Sequence, residues 1–382
     1  MNNINVLHLC SYYYGSKLYE NLFTDFSNKG VNQTVYIPVK NGTDVGNINM
    51  IKNCEFIVKE TSTNLDRFFF YRKANKNYNN LVFNRDLKKF NIVHAHTLFT
   101  NGFMAYRLKK EYGIPYIVAV RNTDVNVFFK YFIHLRRLGV DIMKEAEKIV
   151  FISHSYLENT IDKYVPNKYK EEIKNKSIVI PNGLNNYWVE NKIKTPNKLD
   201  KKTINLVYVG EVTKNKNIHK VIEDIEIMNK KGLDVRYKVV GDGDYLNELE
   251  KLLGKMEYKD KVTLMGRINN KDEIKDILDK SDIFVMNSTF ETFGLSYIEA
   301  LSRGLPVIYT KGQGIYGYFD EGYIGYGVKT NESIEKYVEN IISNYETMSH
   351  NTMSIINDFR WEVIGEKYID LYNRLLEDGR EN

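Results

Sequence analysis

Short apolar segments alternate with longer stretches of helical periodicity along the whole chain. Apolar runs of about four to six residues predict buried strands, and apolar residues spaced by three and four predict helices between them. In the first half we expect strands at Asn5–Leu9, Gln33–Pro38, Ile92–Ala95, Tyr116–Val120, Lys148–Ile152 and Ser177–Ile180. In the second half we expect them at Asn205–Val209, Arg236–Val240, Lys261–Met265, Asp282–Met286 and Pro306–Tyr309. This alternation is typical of doubly wound parallel α/β sheets covered by helices on both faces.

A polar passage rich in Lys and Asn, near residues 187–202, interrupts the pattern before it restarts. A chain of 382 residues also exceeds one typical core, so two domains are expected. We predict Rossmann-like domains at residues 1–187 and 203–360. Residues 361–382 then form a separate amphipathic helix that begins at Trp361.

The segment 286–309, MNSTFETFGLSYIEALSRGLPVIY, joins a predicted strand to a helix and a further strand. Glu291 lies on the loop at the carboxyl end of the strand, where open α/β sheets bind ligands. The free N–H groups of Gly294 and Leu295 at the helix start suit a diphosphate. Glu299 follows about 6 Å along the axis, a distance that suits a ribose hydroxyl. The alternative is an ordinary amphipathic helix with two solvated acids.

This segment resembles the E-x7-E motif of glycosyltransferase family 4, with FGL inside the motif and EA-x3-G-x-PVI after it. The resemblance implies the GT-B fold, in which two Rossmann-like domains face across a cleft and a C-terminal helix crosses back to the first domain. It implies retaining, metal-independent transfer without a cofactor. It also implies that Glu291 contacts the transferred sugar and Glu299 the ribose, while Phe293, Gly294 and Leu295 bind the rest of the donor.

A second element of the same family is similar to VGEVTKNKN, residues 209–217. Gly210 and Asn217 match its donor-binding positions, and Lys216 matches the cation that neutralises the leaving diphosphate. Such a cation stabilises charge that develops as the sugar departs. Glu211 stands where the family usually carries Arg, and an acid there would repel phosphate if it pointed inward.

Two further turns complete the expected donor site. Gly241 in the GDG turn is expected near the nucleotide, and Arg267 follows a strand where relatives hold the base through backbone contacts. Either Lys214 or Arg267 could replace the cation that is missing at Glu211.

In the first domain, Gly15 and Ser16 occupy the first strand-to-helix loop, where relatives carry glycines that approach the diphosphate. His94 and His96 alternate along a strand and therefore share one face. Two histidines without a nearby carboxylate make a poor metal site, so we expect acceptor-side or structural roles and no metal.

Relatives commonly read VHGTDV where this chain reads AVRNTDV. The alignment places Arg121 at the position of the His, so we predict Arg121 as a catalytic residue together with Glu291 and Lys216. It places Asn122 at the position of the Gly, as an acceptor-side candidate. Arg121 cannot act as a base, but a permanent bidentate cation can hold an anionic donor sugar or an acceptor phosphate. A structural ion pair between Arg121 and Asp124 is the competing interpretation.

The charge is unevenly distributed: residues 1–200 carry a balance of +11 and residues 201–382 a balance of −6. Part of the excess lies in residues 67–89, where basic and aromatic residues interleave, as on a surface that contacts anionic lipid. A solvated helix with its aromatic residues in the core is the alternative. Nucleic acid is not expected, because no recognition motif accompanies the basic residues.

Only Cys10 and Cys54 are present, which favours a reducing compartment. No apolar run is long enough for a membrane span, and the N-terminus lacks the basic region of a signal peptide. We therefore expect a cytoplasmic protein with an optional peripheral contact at the inner face of the cell membrane.

These observations predict a glycosyltransferase that moves a hexosyl or N-acetylhexosaminyl group from a nucleotide sugar, expected to be UDP-linked. The expected acceptor is lipid-linked or a polysaccharide, as in bacterial-type surface polysaccharide biosynthesis. A sugar-nucleotide 2-epimerase of the same fold is one alternative. Glu211 and Arg121 suggest another, a catalytically silent glycosyltransferase-like binding subunit. The sequence does not indicate the oligomeric state.

Overall fold

The computed structural model describes residues 4–15, 17–46, 48–63, 66, 69–83, 85–199 and 202–381. The chain forms two compact units. Unit 1 comprises Met1–Ile152, Leu157–Gly183 and Trp361–Asn382, and unit 2 comprises Ser153–Tyr156 and Leu184–Arg360. Within the described part of the chain, no helix combines the length and apolar character that crossing a bilayer requires.

Unit 1 is built on a seven-stranded parallel sheet with the order β3-β2-β1-β4-β5-β6-β7. Its strands are β1 (Asn5–Leu9), β2 (Asn32–Lys40), β3 (Cys54–Ser62), β4 (Ile92–Ala95), β5 (Tyr116–Ala119), β6 (Lys148–Phe151) and β7 (Ser177–Val179). The helices of this part of the chain are α1 (Lys17–Asn28), α2 (Phe70–Val82), α3 (Thr100–Tyr112), α4 (Arg136–Glu145), α5 (His154–Tyr164) and α6 (Asn167–Lys176).

Unit 2 contains a six-stranded parallel sheet with the order β10-β9-β8-β11-β12-β13. Its strands are β8 (Ile204–Val209), β9 (Val235–Val240), β10 (Val262–Gly266), β11 (Ile283–Met286), β12 (Val307–Thr310) and β13 (Gly325–Val328). Its helices are α7 (Asn186–Glu190), α8 (Ile218–Lys230), α9 (Leu246–Leu253), α10 (Lys271–Asp279), α11 (Leu295–Ser302), α12 (Glu335–Ser343) and α13 (Tyr345–Ile355).

The predicted α/β class is confirmed, and each of the eleven predicted strands lies within two residues of an observed one. Two observed strands, β3 and β13, were not predicted from the sequence pattern. Both are edge strands, so they are less completely covered than central strands. β3 is mostly partly exposed, and β13 contains Gly325 and Gly327, which lower strand propensity.

In each sheet the direction of winding reverses at one place, between β1 and β4 in unit 1 and between β8 and β11 in unit 2. All paired strands are parallel, so their carboxyl ends lie along one edge of the sheet. Loops that leave neighbouring strands in opposite directions open a crevice at such a point, which is where doubly wound sheets bind ligands.

The last helix, α14 (Trp361–Glu381), packs into the core of unit 1 with Ile364, Tyr368 and Tyr372. The contact with α1 is close, because a Cβ atom at Gly365 would lie 1.6 Å from an oxygen of Asp25. This packing follows from the amphipathic pattern that predicted the helix.

Candidate active site

The loops that follow β8 and β11 are joined at the point of reversal in unit 2. The backbone N–H of Thr289 donates to the carbonyl of Asn215 at 2.8 Å. The Asn215 side chain donates to the carbonyl of Phe290 at 2.8 Å and accepts from the Thr289 hydroxyl at 2.8 Å. The two motifs identified in the sequence, 75 residues apart, therefore form one structural element.

Lys216 and Glu291 meet at the centre of this element. Lys216 ends a short 3-10 helix, Lys214–Lys216, and its Nζ lies 2.7 Å from Oε2 of Glu291. The side chains are only 20% and 11% exposed, which limits screening of the pair by water. The other carboxylate oxygen of Glu291 accepts the backbone N–H of Thr292 at 3.0 Å. Lys216 and Glu291, two of the three side chains predicted to be catalytic, are thus held in fixed positions.

Asn217, the next predicted donor-binding residue, has a left-handed backbone with φ of +56°. Its side chain is buried and donates to the carbonyl of Thr330 at 2.9 Å. Asn tolerates this conformation better than most residues. In the structure Asn217 fixes the turn between Lys216 and α8.

Gly294 caps α11 with φ of +83°, a conformation that favours glycine. A Cβ atom here would lie 2.5 Å from the ring of Tyr297 and 3.0 Å from Cε of Met286. The glycine therefore lets the chain turn tightly between Glu291 and the helix. The first N–H groups of α11, beginning at Leu295, have no partner within the helix and create a partly positive end.

Phe293, which precedes this turn, is buried at 2% exposure. Its ring packs against Tyr318 at 5.6 Å and Phe359 at 5.9 Å between centroids. The structure places this predicted donor-binding side chain in the core of unit 2.

Glu299 lies on α11, and its side chain is only partly exposed. Burial raises the pKa of Glu299 from 4.5 to about 7, although a hydrogen bond from the Trp188 side chain and the charge of Lys271 act to lower it. Trp188 is itself buried on α7. Sequence spacing did not indicate this partner, since Trp188 lies more than a hundred residues earlier.

Gly210, Gly241 and Arg267 line one cavity of about 620 Å³ beside the carboxyl ends of β8, β9 and β10. The two glycine backbones approach closely, because a Cβ atom at Gly241 would lie 1.8 Å from the Gly210 carbonyl oxygen. The volume is in the range typical of small-molecule sites. Three residues predicted to bind the donor are therefore brought together.

Glu211 also lines this cavity, with an exposed side chain. Its backbone carbonyl accepts the Tyr208 hydroxyl at 2.7 Å. Arg267 lies at the same cavity with its Nε donating to Asn269 at 3.1 Å. Of the two cations considered as replacements, Arg267 is thus the one that shares a cavity with Glu211.

A loop after β12 also contacts Glu291 and was missed in the sequence. Gly314 donates its N–H to the Glu291 carbonyl at 3.0 Å, and the Gln313 side chain accepts the Glu291 N–H at 3.3 Å. Gly312, Gly314 and Gly317 form a G-x-G-x-x-G spacing directly after the strand, a signal that could have identified this loop.

In unit 1, Gly15 ends a short 3-10 helix, Tyr13–Gly15, at the point of reversal after β1. Ser16 lies outside the described residues. The loop after β1 is joined here to the start of α3, because the Ser11 hydroxyl donates to Asn101 Oδ1 at 2.6 Å.

His94 of β4 and His96, just after the end of that strand, stack on each other, with His8 of β1 beside them. All three are buried, and their ligand atoms lie within 4.8 Å of one another. Burial lowers the pKa of all three, to about 3 for His8, so neutral rings are favoured. His94 bonds to the Tyr372 hydroxyl at 2.7 Å. The group contains imidazoles only and is packed against aromatic rings.

Arg121 is partly buried after β5, and its guanidinium bonds to Asn182 Oδ1 at 3.2 Å and to Tyr368. Asp124 accepts backbone N–H groups of Leu98, Phe99 and Arg121 at 2.9–3.1 Å. Asp124 therefore organises the loop mainly through the backbone. Asn122 is exposed and bonds to Asn126.

Residues 189–354 match the family model described as glycosyl transferases group 1. A curated relative, the alpha-monoglucosyldiacylglycerol synthase of Acholeplasma laidlawii, is 26% identical over 76% of each chain. Both matches support a glycosyltransferase.

Two solved structures share the fold over nearly the whole chain. Sucrose-phosphate synthase from Thermosynechococcus elongatus aligns with a TM-score of 0.73 and 16% identity, covering 98% of this chain and all of that one. Anabaena HepE in complex with UDP-glucose aligns with a TM-score of 0.66 and 14% identity, covering 97% and all of that chain. The predicted GT-B fold is confirmed.

Proposed function

We propose that this protein is a retaining, metal-independent glycosyltransferase that moves a hexosyl or N-acetylhexosaminyl group from a UDP-linked donor to a lipid-linked or glycan acceptor. The observation that carries the proposal is the Lys216–Glu291 pair at the point of reversal in unit 2. It combines a cation for the leaving diphosphate with a carboxylate for the sugar, beside a helix whose N-terminus suits phosphate.

The donor assignment draws on both geometry and likeness. The cavity at Gly210, Gly241 and Arg267 suits a nucleotide in size. HepE, which shares the fold, was crystallised with UDP-glucose. In our proposal Leu295 and Gly294 bind the diphosphate through their N–H groups, and Glu299 binds the ribose hydroxyls.

The acceptor assignment rests on the positive balance of the first half and on the relative named for a diacylglycerol glycolipid. The expected peripheral contact of residues 67–89 with a membrane belongs to the same proposal. In our proposal Arg121 positions an acceptor phosphate or an anionic sugar, and retention follows from attack on the face that the diphosphate leaves. The phosphate oxygen then accepts the proton of the acceptor hydroxyl.

The test is product analysis with labelled UDP-glucose and UDP-N-acetylglucosamine, each with and without diacylglycerol vesicles or short glycans, in the presence of a metal chelator. Labelled glycoside that forms only with acceptor, with the anomeric configuration retained, supports the proposal. An epimerised nucleotide sugar without acceptor identifies the epimerase instead. Binding of donor without any product identifies the silent subunit. The family description and the relative's name favour transfer.

Donor binding is expected to depend on Glu299 ionisation. The pKa of Glu299 is raised from 4.5 to about 7 in the folded protein. Without bound donor, its carboxyl group is therefore largely protonated below pH 7. Ribose hydroxyls donate to the ionised form, whereas the UDP-glucose diphosphate does not titrate in this range. We expect affinity to fall about tenfold per pH unit below pH 7, measured by calorimetry from about pH 5.5 to 8.5.

The folding stability of the donor-free protein depends on pH in the opposite direction to the donor affinity. Because the pKa is raised on folding, the folded state holds the proton between pH 4.5 and about 7, and stability without donor falls as pH rises through that window. Glu299→Gln should remove both pH dependences and bind weakly throughout. The matched control is Glu339→Gln, at an exposed glutamate on α12. A steep pH profile that persists in Glu299→Gln would contradict the assignment.

A further inference from the structure

Five of the large apolar side chains that unit 1 exposes lie in two segments. Phe69 and Tyr71, at the start of α2, are 58% and 48% exposed. Val127, Tyr131 and Ile133, between β5 and α4, are 40%, 67% and 67% exposed. We call this group the aromatic edge. Clusters of exposed apolar side chains mark interaction sites on soluble domains.

The two segments are linked by a continuous row of rings. The centroids of Phe70 and Phe128 lie 5.8 Å apart, and those of Phe128 and Phe132 lie 5.5 Å apart. Phe99 stacks on Phe128 at 4.7 Å from the interior side. The aromatic edge is therefore one surface, built on a shared aromatic layer.

The outward direction of these side chains is fixed by the backbone. Asp124–Phe129 form a π-helix, and a 3-10 helix follows at Ile133–Leu135. Phe129 and Leu135 are fully buried and anchor the segment from inside. π-helical turns are rare and often occur at functional sites. The exposed apolar residues thus belong to an ordered segment with its own core contacts.

The charge around the aromatic edge is positive. Residues 69–83 and 125–140 contain basic residues and no acid. Lys130 lies beside the exposed ring of Tyr131, with Nζ 5.1 Å from its centroid. A cavity of about 500 Å³ near the start of α4 is lined by Arg136, Arg137 and Lys168, with Asp141 as the acid among its lining residues.

We propose that the aromatic edge docks unit 1 on an anionic lipid bilayer, with the cavity at Arg136, Arg137 and Lys168 accepting a lipid phosphate. Aromatic and aliphatic side chains enter the headgroup region, while neighbouring basic side chains neutralise anionic lipids. An acidic protein would match the charge but would leave the extent of exposed apolar surface unexplained.

This surface differs from the one that the sequence suggested at residues 67–89. Arg72 and Lys76 pair with the buried Asp66 at 3.0 and 2.9 Å. Lys89 pairs with Glu55 at 3.5 Å. Arg72, Lys76 and Lys89 are therefore each paired with an acid. The start of α2 contributes exposed apolar side chains to the docking surface, and the segment after β5 contributes most of its positive charge.

The test uses the full chain, without donor, in co-sedimentation with vesicles of phosphatidylcholine alone or mixed with phosphatidylglycerol. We expect binding to the mixed vesicles that weakens with salt, and little binding to phosphatidylcholine alone. Tyr131→Ser with Ile133→Ser should weaken binding about tenfold or more. Lys130→Glu with Arg137→Glu should weaken it by a similar factor.

The matched control is Phe83→Ser, because Phe83 is 71% exposed at the opposite end of α2. Thermal unfolding should be similar in all variants, since the substituted side chains are exposed. The proposal is overturned if the wild type ignores phosphatidylglycerol or if Phe83→Ser weakens binding as much. It is also overturned if Tyr131→Ser with Ile133→Ser dissociates an oligomer, which would show that a second copy covers this surface.

Membrane docking by the aromatic edge rests on the proposed transfer to a lipid-linked acceptor, but different measurements test the docking and the transfer. Vesicle binding without any sugar transfer would leave the aromatic edge in place and refute the activity. Sugar transfer to a soluble glycan without vesicle binding would support the activity and refute the docking by the aromatic edge.

Discussion

Lys216→Ala is expected to lower kcat about 10²–10³-fold, the loss typical when one preorganised electrostatic partner of a developing charge is removed. Lys216 lies 2.7 Å from Glu291 and is largely shielded from water, so its charge acts at close range in the proposed site. The measurement is single-turnover transfer from the verified UDP-sugar, with donor affinity measured separately. The reduction should exceed any change in KM, because charge on the diphosphate increases in the transition state.

The control is Lys231→Ala. Lys231 also forms a 2.7 Å ion pair, with Glu335, but it is exposed and lies just after the opposite end of α8. Thermal unfolding of both variants separates catalysis from stability, since Lys216→Ala leaves Glu291 partly buried without its cation. Equal loss of activity in both variants would refute the assignment of Lys216.

A double-mutant cycle distinguishes direct action on the donor from positioning of Glu291. If Lys216 acts only by holding Glu291, Lys216→Ala with Glu291→Gln should be no slower than Glu291→Gln alone. If each contacts the donor, the double variant should be slower than either single variant. Lys216→Arg retains the charge but changes the geometry, and an intermediate rate is expected.

The central strands were predicted well from the sequence, because burial on both faces of the sheet requires a continuous run of apolar residues, which is visible in the local sequence. β1 and β4 match their predicted limits residue by residue. β13, GYGV, has no such run, and only pairing with β12 makes it a strand. The edge strands β7 and β10 do contain short apolar runs and were predicted, so the absence of an apolar run, and not the edge position alone, explains the missed strand.

The same distinction applies to the site. Glu291 and Lys216 were predicted from two separate motifs, and in the structure Nζ of Lys216 lies 2.7 Å from Oε2 of Glu291. Asn215 was overlooked, because its role is to bond the backbone of a loop 74 residues away. Trp188 was overlooked for the same reason, since it acts on Glu299 from another helix. Local chemistry can be predicted from sequence, whereas the groups that support it depend on tertiary contacts.

Gly294→Ala is expected to destabilise unit 2 by about 2–5 kcal/mol and to weaken donor binding. Two costs combine: a left-handed backbone for a residue with a Cβ atom and overpacking of a buried ring. The new Cβ atom would lie 2.5 Å from Tyr297, which is 1% exposed and whose hydroxyl bonds to the Met286 carbonyl. Relief requires movement of the ring or of the turn that carries Glu291. Thermal unfolding should shift by about 2–4 °C per kcal/mol.

Gly232→Ala separates these two costs. Gly232 has φ of +88°, close to the +83° of Gly294, but a Cβ atom there would meet nothing within 4 Å. Gly232→Ala introduces the backbone strain without the clash. We therefore expect it to destabilise the protein by about 1–2 kcal/mol and to leave the donor affinity unchanged. The donor-induced rise in unfolding temperature should persist in Gly232→Ala and diminish in Gly294→Ala, because only the latter displaces the N-terminus of α11. Equal behaviour of the two variants would show that Tyr297 yields freely and that the turn at Gly294 does not position the phosphate-binding end of α11.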